Sequence, residues 1–367
     1  MGFHIVKRDN CPLWKQAALY VGAVVLALLL GAVLLLIQGV NPVAYYTRMF
    51  TMGTIGNKIA YKVWINYLKE FVPLALTSVA LSLAFKMRFW NIGGEGQFIL
   101  GALSAACVAF KLGPVLPNAV TLILMCLAAM VVAGLYGLGV AALKVKFGTN
   151  ETLMTLMLNY IALYLLIFVG EDKGEWNFFL DPESLRPVFA SFASVVSFPS
   201  IPMGGKFALN ICVILTFLIG AMMYVYLRYT KHGYEISVVG DSAGTARYAG
   251  MKVNAIVLRT VFLSAALIGL AAAFKVGTAG ILSTAITDDV GWTGIIVAWL
   301  SKLNTVAIFV VSALICVLQY GSTVAAATFS QVDSSFANML QGVILFLVLA
   351  SDFFIRFRIV PVKKGGK

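Results

Sequence analysis

Long apolar runs constrain this chain more than any other feature of its sequence. Ala17 to Ile37, Asn118 to Leu143 and Thr305 to Leu318 carry no charge, and they approach or exceed the roughly 20 residues that an α-helix needs to cross a bilayer core. A soluble fold could not hide so much apolar surface. Of its residues 61% are hydrophobic and 11% charged, against roughly 45–50% and 25% in ordinary globular domains. None of the runs alternates polar and apolar residues, which a membrane β-barrel requires. The expected fold is all-α and polytopic, with about ten transmembrane helices at 17–38, 71–86, 96–112, 118–143, 152–170, 207–228, 256–276, 290–301, 305–321 and 336–355.

Charge marks topology in this reading. The formal charge of +12 could suit nucleic acid, but the cations are scattered between apolar runs, so no nucleic-acid partner is expected. Lys7, Arg8 and Lys15 precede a run too long for a secretory signal and lacking a small-residue cleavage site, which makes it an uncleaved first span. Starting inside, the inner segments carry Lys86 and Arg88, Lys144 and Lys146, Lys231, Arg247, Lys252 and Arg259, Lys302, and finally Arg356, Arg358, Lys363, Lys364 and Lys367. The outer segments 171–205, 277–289 and 322–335 are acidic or neutral, with Glu171, Asp172, Glu175, Asp181, Glu183, Asp288, Asp289 and Asp333 against Lys173 and Arg186. This is the positive-inside pattern, with both termini in the cytoplasm and the protein in the plasma membrane.

Residues 39–70 depart from it, since they should lie outside yet carry Arg48, Lys58, Lys62 and Lys69. Lys58, Lys62, Asn66 and Lys69 recur on one helical face opposite Ile55, Ile59, Val63, Trp64, Tyr67 and Phe71. Either an amphipathic interfacial helix leads into the second span, or the topology of the first span is misassigned. The domains so drawn are 1–70, holding the first helix and the interfacial helix, 71–355, the transmembrane body with a cytoplasmic loop at 229–253, and a basic tail at 356–367. The cysteines Cys11, Cys107, Cys126, Cys212 and Cys316 have no paired or metal-like spacing and read as small buried hydrophobes.

The apolar pattern breaks at Phe89 to Gln97, where Gly93, Gly94 and Gly96 surround Glu95. Non-helical backbone at membrane depth must face protein or a watery cavity, and an intramembrane carboxylate is a functional candidate by default. Asn91, Glu95 and Gln97 are therefore candidate pathway residues. Alternatively, Glu95 pairs with Lys86 or Arg88 at the inner mouth and only fixes the fold. A phosphate-binding loop is excluded, because no Lys-Ser or Lys-Thr follows the glycines. Thr287 to Gly294 interrupts the second half in a comparable way before the short run Ile295 to Leu300, and Trp292 joins the candidates. Broken spans in both halves point to a central substrate site, and the spans from 71 to 170 and from 256 to 355 run in opposite directions, five spans apart, as an inverted repeat would.

Between the breaks, Thr149 or Asn150 can cap a helix with Glu151 in its first turn. Thr152, Thr155 and Asn159 then share one face, which either lines a polar pathway or binds neighbouring helices together. In the loop from Lys231 to Met251, Asp241 or Ser242 caps two turns over Ala243 to Ala249, and Gly250 serves as a left-handed stop. Such an element is either a docking helix or an ordinary surface turn.

Together and in this order, Phe89 to Gln97, Lys146 to Tyr160, Gly240 to Met251 and Gly291 to Leu303 resemble the permeases of ATP-binding-cassette importers for branched-chain amino acids, ribose and nucleosides. Asn91 to Gln97 and Gly148 to Tyr160 are most similar to the nucleoside-uptake branch. The resemblance covers nearly the whole chain after about residue 70. It departs at Trp292, where the family's pattern carries Phe, and at Asn304-Thr305, where it carries Pro. The resemblance implies a coupling helix at 240–250, with Gly240, Asp241, Ser242, Arg247, Tyr248 and Gly250 serving a cytoplasmic ATPase. It also implies a second permease subunit in a heterodimer, an extracytoplasmic solute-binding lipoprotein and a small-molecule substrate.

No ATP-binding motif occurs in the chain, so hydrolysis is expected on a separate subunit. The histidines His4 and His232 both fall in expected cytoplasmic segments, and no catalytic group, cofactor or metal is expected. An ion-coupled secondary transporter is the alternative of a different class, because it too uses broken helices and a membrane carboxylate. Within the importer reading, a sugar or a branched-chain amino acid competes with a nucleoside.

Overall fold

The computed structural model describes residues 3–7, 12–193, 196–329, 331–332 and 334–361. Arg8, Cys11, Asp333, Lys363, Lys364 and Lys367 lie outside the described residues, as does the tail beyond 361. In chain order the elements are β1 (Phe3–Lys7), α1 (Leu13–Ile37), α2 (Pro42–Phe50), α3 (Ala60–Lys86), α4 (Gly94–Leu112), α5 (Asn118–Phe147) and α6 (Glu151–Glu171). They continue with β2 (Ser200–Gly204), β3 (Phe207–Asn210), α7 (Ile211–Tyr229), α8 (Lys231–Asp241), α9 (Ala243–Tyr248), α10 (Val253–Ala279), α11 (Val290–Leu300), α12 (Thr305–Ala326), α13 (Ser334–Arg356) and β4 (Phe357–Pro361). Among the described residues nine helices are long and apolar enough to span a membrane, and the shorter apolar helix α11 stands where the span at 290–301 was expected. The chain divides into two compact units, Trp64–Ala313 and Met1–Val63 with Leu314–Lys367.

In the unit Trp64–Ala313, α4, α5 and α10 pack on one another. Their contact is built from small residues that let backbones approach, the usual device where helices meet inside lipid. Gly269 of α10 is the tightest case, since a Cβ there would stand 2.2 Å from the carbonyl oxygen of Ala129 in α5. A hydroxyl crosslink adds to it, with Ser264 of α10 donating to the Ala80 carbonyl of α3 at 2.7 Å. Local chemistry sets the helix ends. Gly148, at φ +69°, stops α5, and the Asn150 side chain then accepts from the Thr152 and Leu153 amides at 3.0 and 3.3 Å to start α6. Lys144 and Glu151 close this turn as an ion pair.

In the other unit α1 packs on α13, and β1 pairs antiparallel with β4 from Phe3↔Pro361 to Lys7↔Phe357. The short helix α2 is capped by Asn41 and buries Tyr45 edge-on against Phe336 at 5.5 Å. The interfacial helix expected near residue 60 is not a separate element. Lys62, Asn66 and Lys69 lie exposed on the opening turns of α3 itself, while Tyr67 and Phe71 are buried beneath. No helix breaker separates this amphipathic stretch from the apolar one that follows until Pro73, which α3 accommodates in its interior.

Candidate functional site

The two glycine breaks open α4 and α11, and the N-termini of these helices meet. The break before α4 is held by side chains that satisfy its freed backbone groups. Asn91 and Gln97 form a reciprocal amide pair at 3.1 Å in both directions, and both are buried. From α6, the Thr155 hydroxyl accepts from the Ile92 amide at 3.2 Å. Asn159 accepts from the Gly96 amide at 2.8 Å and donates to the Ile92 carbonyl at 2.9 Å. Protein groups thus stand in for water around the irregular backbone, as a membrane would require.

Glu95, 8% exposed, accepts a hydrogen bond from the Gly291 amide at 2.8 Å. A helix leaves its first amides unsatisfied and carries a partial positive charge there, so the first turn of α11 holds this carboxylate. Contact is possible because residue 291 is glycine; a Cβ would stand 2.3 Å from the Glu95 nitrogen. Among the described residues no ion pair joins Glu95 to Lys86 or Arg88.

A cavity of about 430 Å³ opens beside this junction, lined by Glu95, Asn159, Tyr160, Leu163, Thr284, Ala285, Thr287, Asp288, Asp289 and Trp292. Its wall offers two partly exposed aromatic rings, Tyr160 and Trp292, and three carboxylates. Asp288 and Asp289 adopt φ of +43° and +56°, conformations uncommon for residues with side chains. Asp288 is tied back by Lys275 of α10, which bonds it at 2.5 Å and Glu70 of α3 at 2.8 Å, with the lysine itself 9% exposed.

A second structured region lies between α7 and α10. Thr230 caps α8 through the Gly233 amide at 3.3 Å. Arg259 of α10 anchors α8 by bonding Glu235 at 2.9 Å, and it holds that carboxyl below the usual carboxylate range, with help from His232 at 3.3 Å. Gly240 is buried against the Lys86 carbonyl. Ser242 then caps α9 through the Thr245 amide at 3.2 Å, and Gly250, at φ +76°, ends the turn. On α9 Ala246 faces inward, while Arg247 is exposed and Tyr248 is 97% exposed.

The family of branched-chain amino acid transport system permease components matches residues 63–349. The chain belongs to this family. The glucose ABC transporter permease protein TsgB13 of Haloferax volcanii is 30% identical over 96% of the chain and 92% of its own length. The guanosine ABC transporter permease protein NupP of Bacillus subtilis is 28% identical over 94% of the chain and 96% of its own length. The nucleoside ABC transporter permease protein NupB of Lactococcus lactis is 27% identical over 82% of each. The protein is thus a multi-pass ABC transporter permease, and its family implies an ATPase and a substrate-binding protein as partners.

Of the pathway residues expected in this permease, Glu95, Asn159 and Trp292 line the cavity. Asn91, Gln97 and Thr155 stand behind it and hold the backbone break, and Thr152 lies half-buried a turn before Thr155 on α6. In the loop expected to dock the ATPase, Asp241, Ser242, Arg247, Tyr248 and Gly250 are exposed and Gly240 is not. Sequence reasoning missed Tyr160, Thr287 and Lys275. Lys275 left a readable signal, a single cation inside an apolar stretch, which in a membrane demands a partner.

Proposed function

We propose that the protein is the permease of a nucleoside importer in the plasma membrane, with both termini and α9 in the cytoplasm. The cavity carries this reading. Tyr160 and Trp292 offer rings on which a nucleobase stacks, and Glu95, Asn159 and Asp289 offer acceptors and an amide for ribose hydroxyls and ring nitrogens. The guanosine and nucleoside permeases among its relatives support it. Glucose is the second reading, favoured by TsgB13 and by carboxylates suited to sugar hydroxyls. In vesicles holding the assembled transporter, ATP-dependent uptake of labelled guanosine is expected, competed by other purine nucleosides and reduced by Trp292→Ala. Competition by glucose and not by nucleosides assigns the sugar instead.

Residues 229–253 form the coupling loop in this proposal, within a transport body at 71–355 preceded by 1–70 and followed by the tail at 356–367. The ATPase receives α9 and its exposed Arg247 and Tyr248, a second permease subunit completes a heterodimer, and a lipoprotein delivers substrate from outside. A two-turn helix is too short to persist alone in water, since isolated helices below roughly 12 residues are marginal; its caps and a partner hold it. Gly250→Val places a β-branched residue at φ +76°, at a cost of about 1–2 kcal/mol or more. Arg247→Glu reverses a charge on the docking face. Both variants are expected to insert normally, to lose substrate-stimulated ATP hydrolysis and to release the ATPase during purification. A thiol at Tyr248→Cys is expected to react with an impermeant reagent only from the cytoplasm. Full uptake in both variants, with the ATPase retained, overturns coupling through α9.

A further inference from the structure

At the ends of α3 and α7 the fold gathers positive charge around an open hollow of about 380 Å³. Lys86, the last residue of α3, and Arg228, in the last turn of α7, both line it, within electrostatic range of one another. Tyr234 and Ser237 of α8 and Asn304 and Thr305 at the start of α12 complete the wall. The Asn304 side chain already caps α12 through the Val306 and Ala307 amides, at 3.0 and 3.3 Å, so the positive end of that helix adds to the two cations. Among the described residues, no carboxylate lines the hollow and none pairs with Lys86 or Arg228.

The depth of the hollow is fixed by its neighbours. Arg228 stands at the end of an apolar spanning helix, and Tyr224, Tyr229 and Tyr234 are exposed around it. Exposed tyrosines at the end of a span mark the headgroup level of a bilayer, where the available anion is a phosphate diester. Basic pockets between helix ends at this level suit anionic headgroups. A guanidinium matches phosphate oxygens bidentately and an ammonium adds a point charge. We propose that Lys86 and Arg228 form a binding site for the phosphate headgroup of an anionic phospholipid.

The test uses the assembled transporter, released from vesicles of mixed phosphatidylglycerol and phosphatidylcholine and weighed intact by native mass spectrometry. One cation near an anionic headgroup gives about a fivefold preference, so the pair predicts retention of phosphatidylglycerol over phosphatidylcholine by roughly thirtyfold. Arg228→Gln, an exposed substitution that spares the fold, is expected to lower the preference about fivefold. Lys86→Gln with Arg228→Gln should bring it to parity, and Lys62→Gln at the opposite end of α3 should leave it unchanged. Unchanged retention in both Arg228 variants overturns the site. Binding of inorganic phosphate with no preference for phosphatidylglycerol overturns the lipid as its source and makes it a free-anion site. Loss of the ATPase with lipid retention intact overturns it in favour of a protein contact.

Discussion

Gly291→Ala is expected to abolish uptake while leaving the complex assembled. The added methyl would stand 2.3 Å from the Glu95 nitrogen, 2.5 Å from its Oε2 and 2.6 Å from its Cα. Two of these atoms belong to the backbone of α4, so no rotamer change relieves the clash and α11 must back away from α4. Overpacking of this kind costs about 1–3 kcal/mol, which a protein with many other helix contacts survives. The bond from the Gly291 amide to Glu95, however, does not survive a shift on the order of 1 Å, because hydrogen bonds weaken beyond about 3.2 Å. The carboxylate then loses the partner that sets its place in the cavity wall. Gly139→Ala, at a position with open space around it, serves as the control and should transport normally. Uptake by Gly291→Ala at half the normal rate or better would show that the Glu95–α11 junction has no part in transport.

Lys275→Met is expected to destabilise the protein by about 2 kcal/mol and to free the segment carrying Asp288. The lysine is 9% exposed and holds Glu70 at 2.8 Å and Asp288 at 2.5 Å. Removing one member of a buried ion group costs about 3–5 kcal/mol. The value here falls below that range because Glu70 and Asp288 keep 37% and 54% of their exposure, so water screens the two carboxylates once the cation is gone. Neutralising all three as Glu70→Gln, Lys275→Met and Asp288→Asn should recover most of the loss, since an ion group exchanged whole for neutral residues is often close to neutral in stability. Thermal melting of the purified protein reads both outcomes. A single Lys275→Met variant that melts with the wild type, or a triple variant no better than the single, would sink the assignment.

The parts of the site legible in the sequence are those made by neighbours along the chain. Asn150, Ser242 and Gly250 each act within a few residues of the helix end they shape, so local chemistry predicts them. The glycines around Glu95 likewise announce a break. What that break rests on is not local. Glu95 finds its partner 196 residues away, and Ile92 and Gly96 are held by Asn159 from another helix. An apolar pattern shows which segments enter the membrane, but not which faces meet there. The same limit hid Lys275, whose two carboxylates come from α3 and from the segment after α10. The helix α8 lies in what reads as part of a loop, and its Gly240 packs closely against the end of α3.

The pairing of β1 with β4 has a consequence in simple parity. Strands that flank α1 and α13 and bond to each other hold the outer ends of these two helices together. A chain that begins and ends on one side crosses an even number of times, yet the described residues hold nine helices long enough to cross. Within residues 280–300 the shorter apolar helix α11 supplies 11 residues, a rise of about 16 Å against a core of about 30 Å. The rest of that distance is travelled by chain without helical hydrogen bonds, which lipid does not tolerate unless water or protein lines it. Residues 284–289 and the start of α11 meet such a lining at the cavity where Glu95, Asp289 and Trp292 come together.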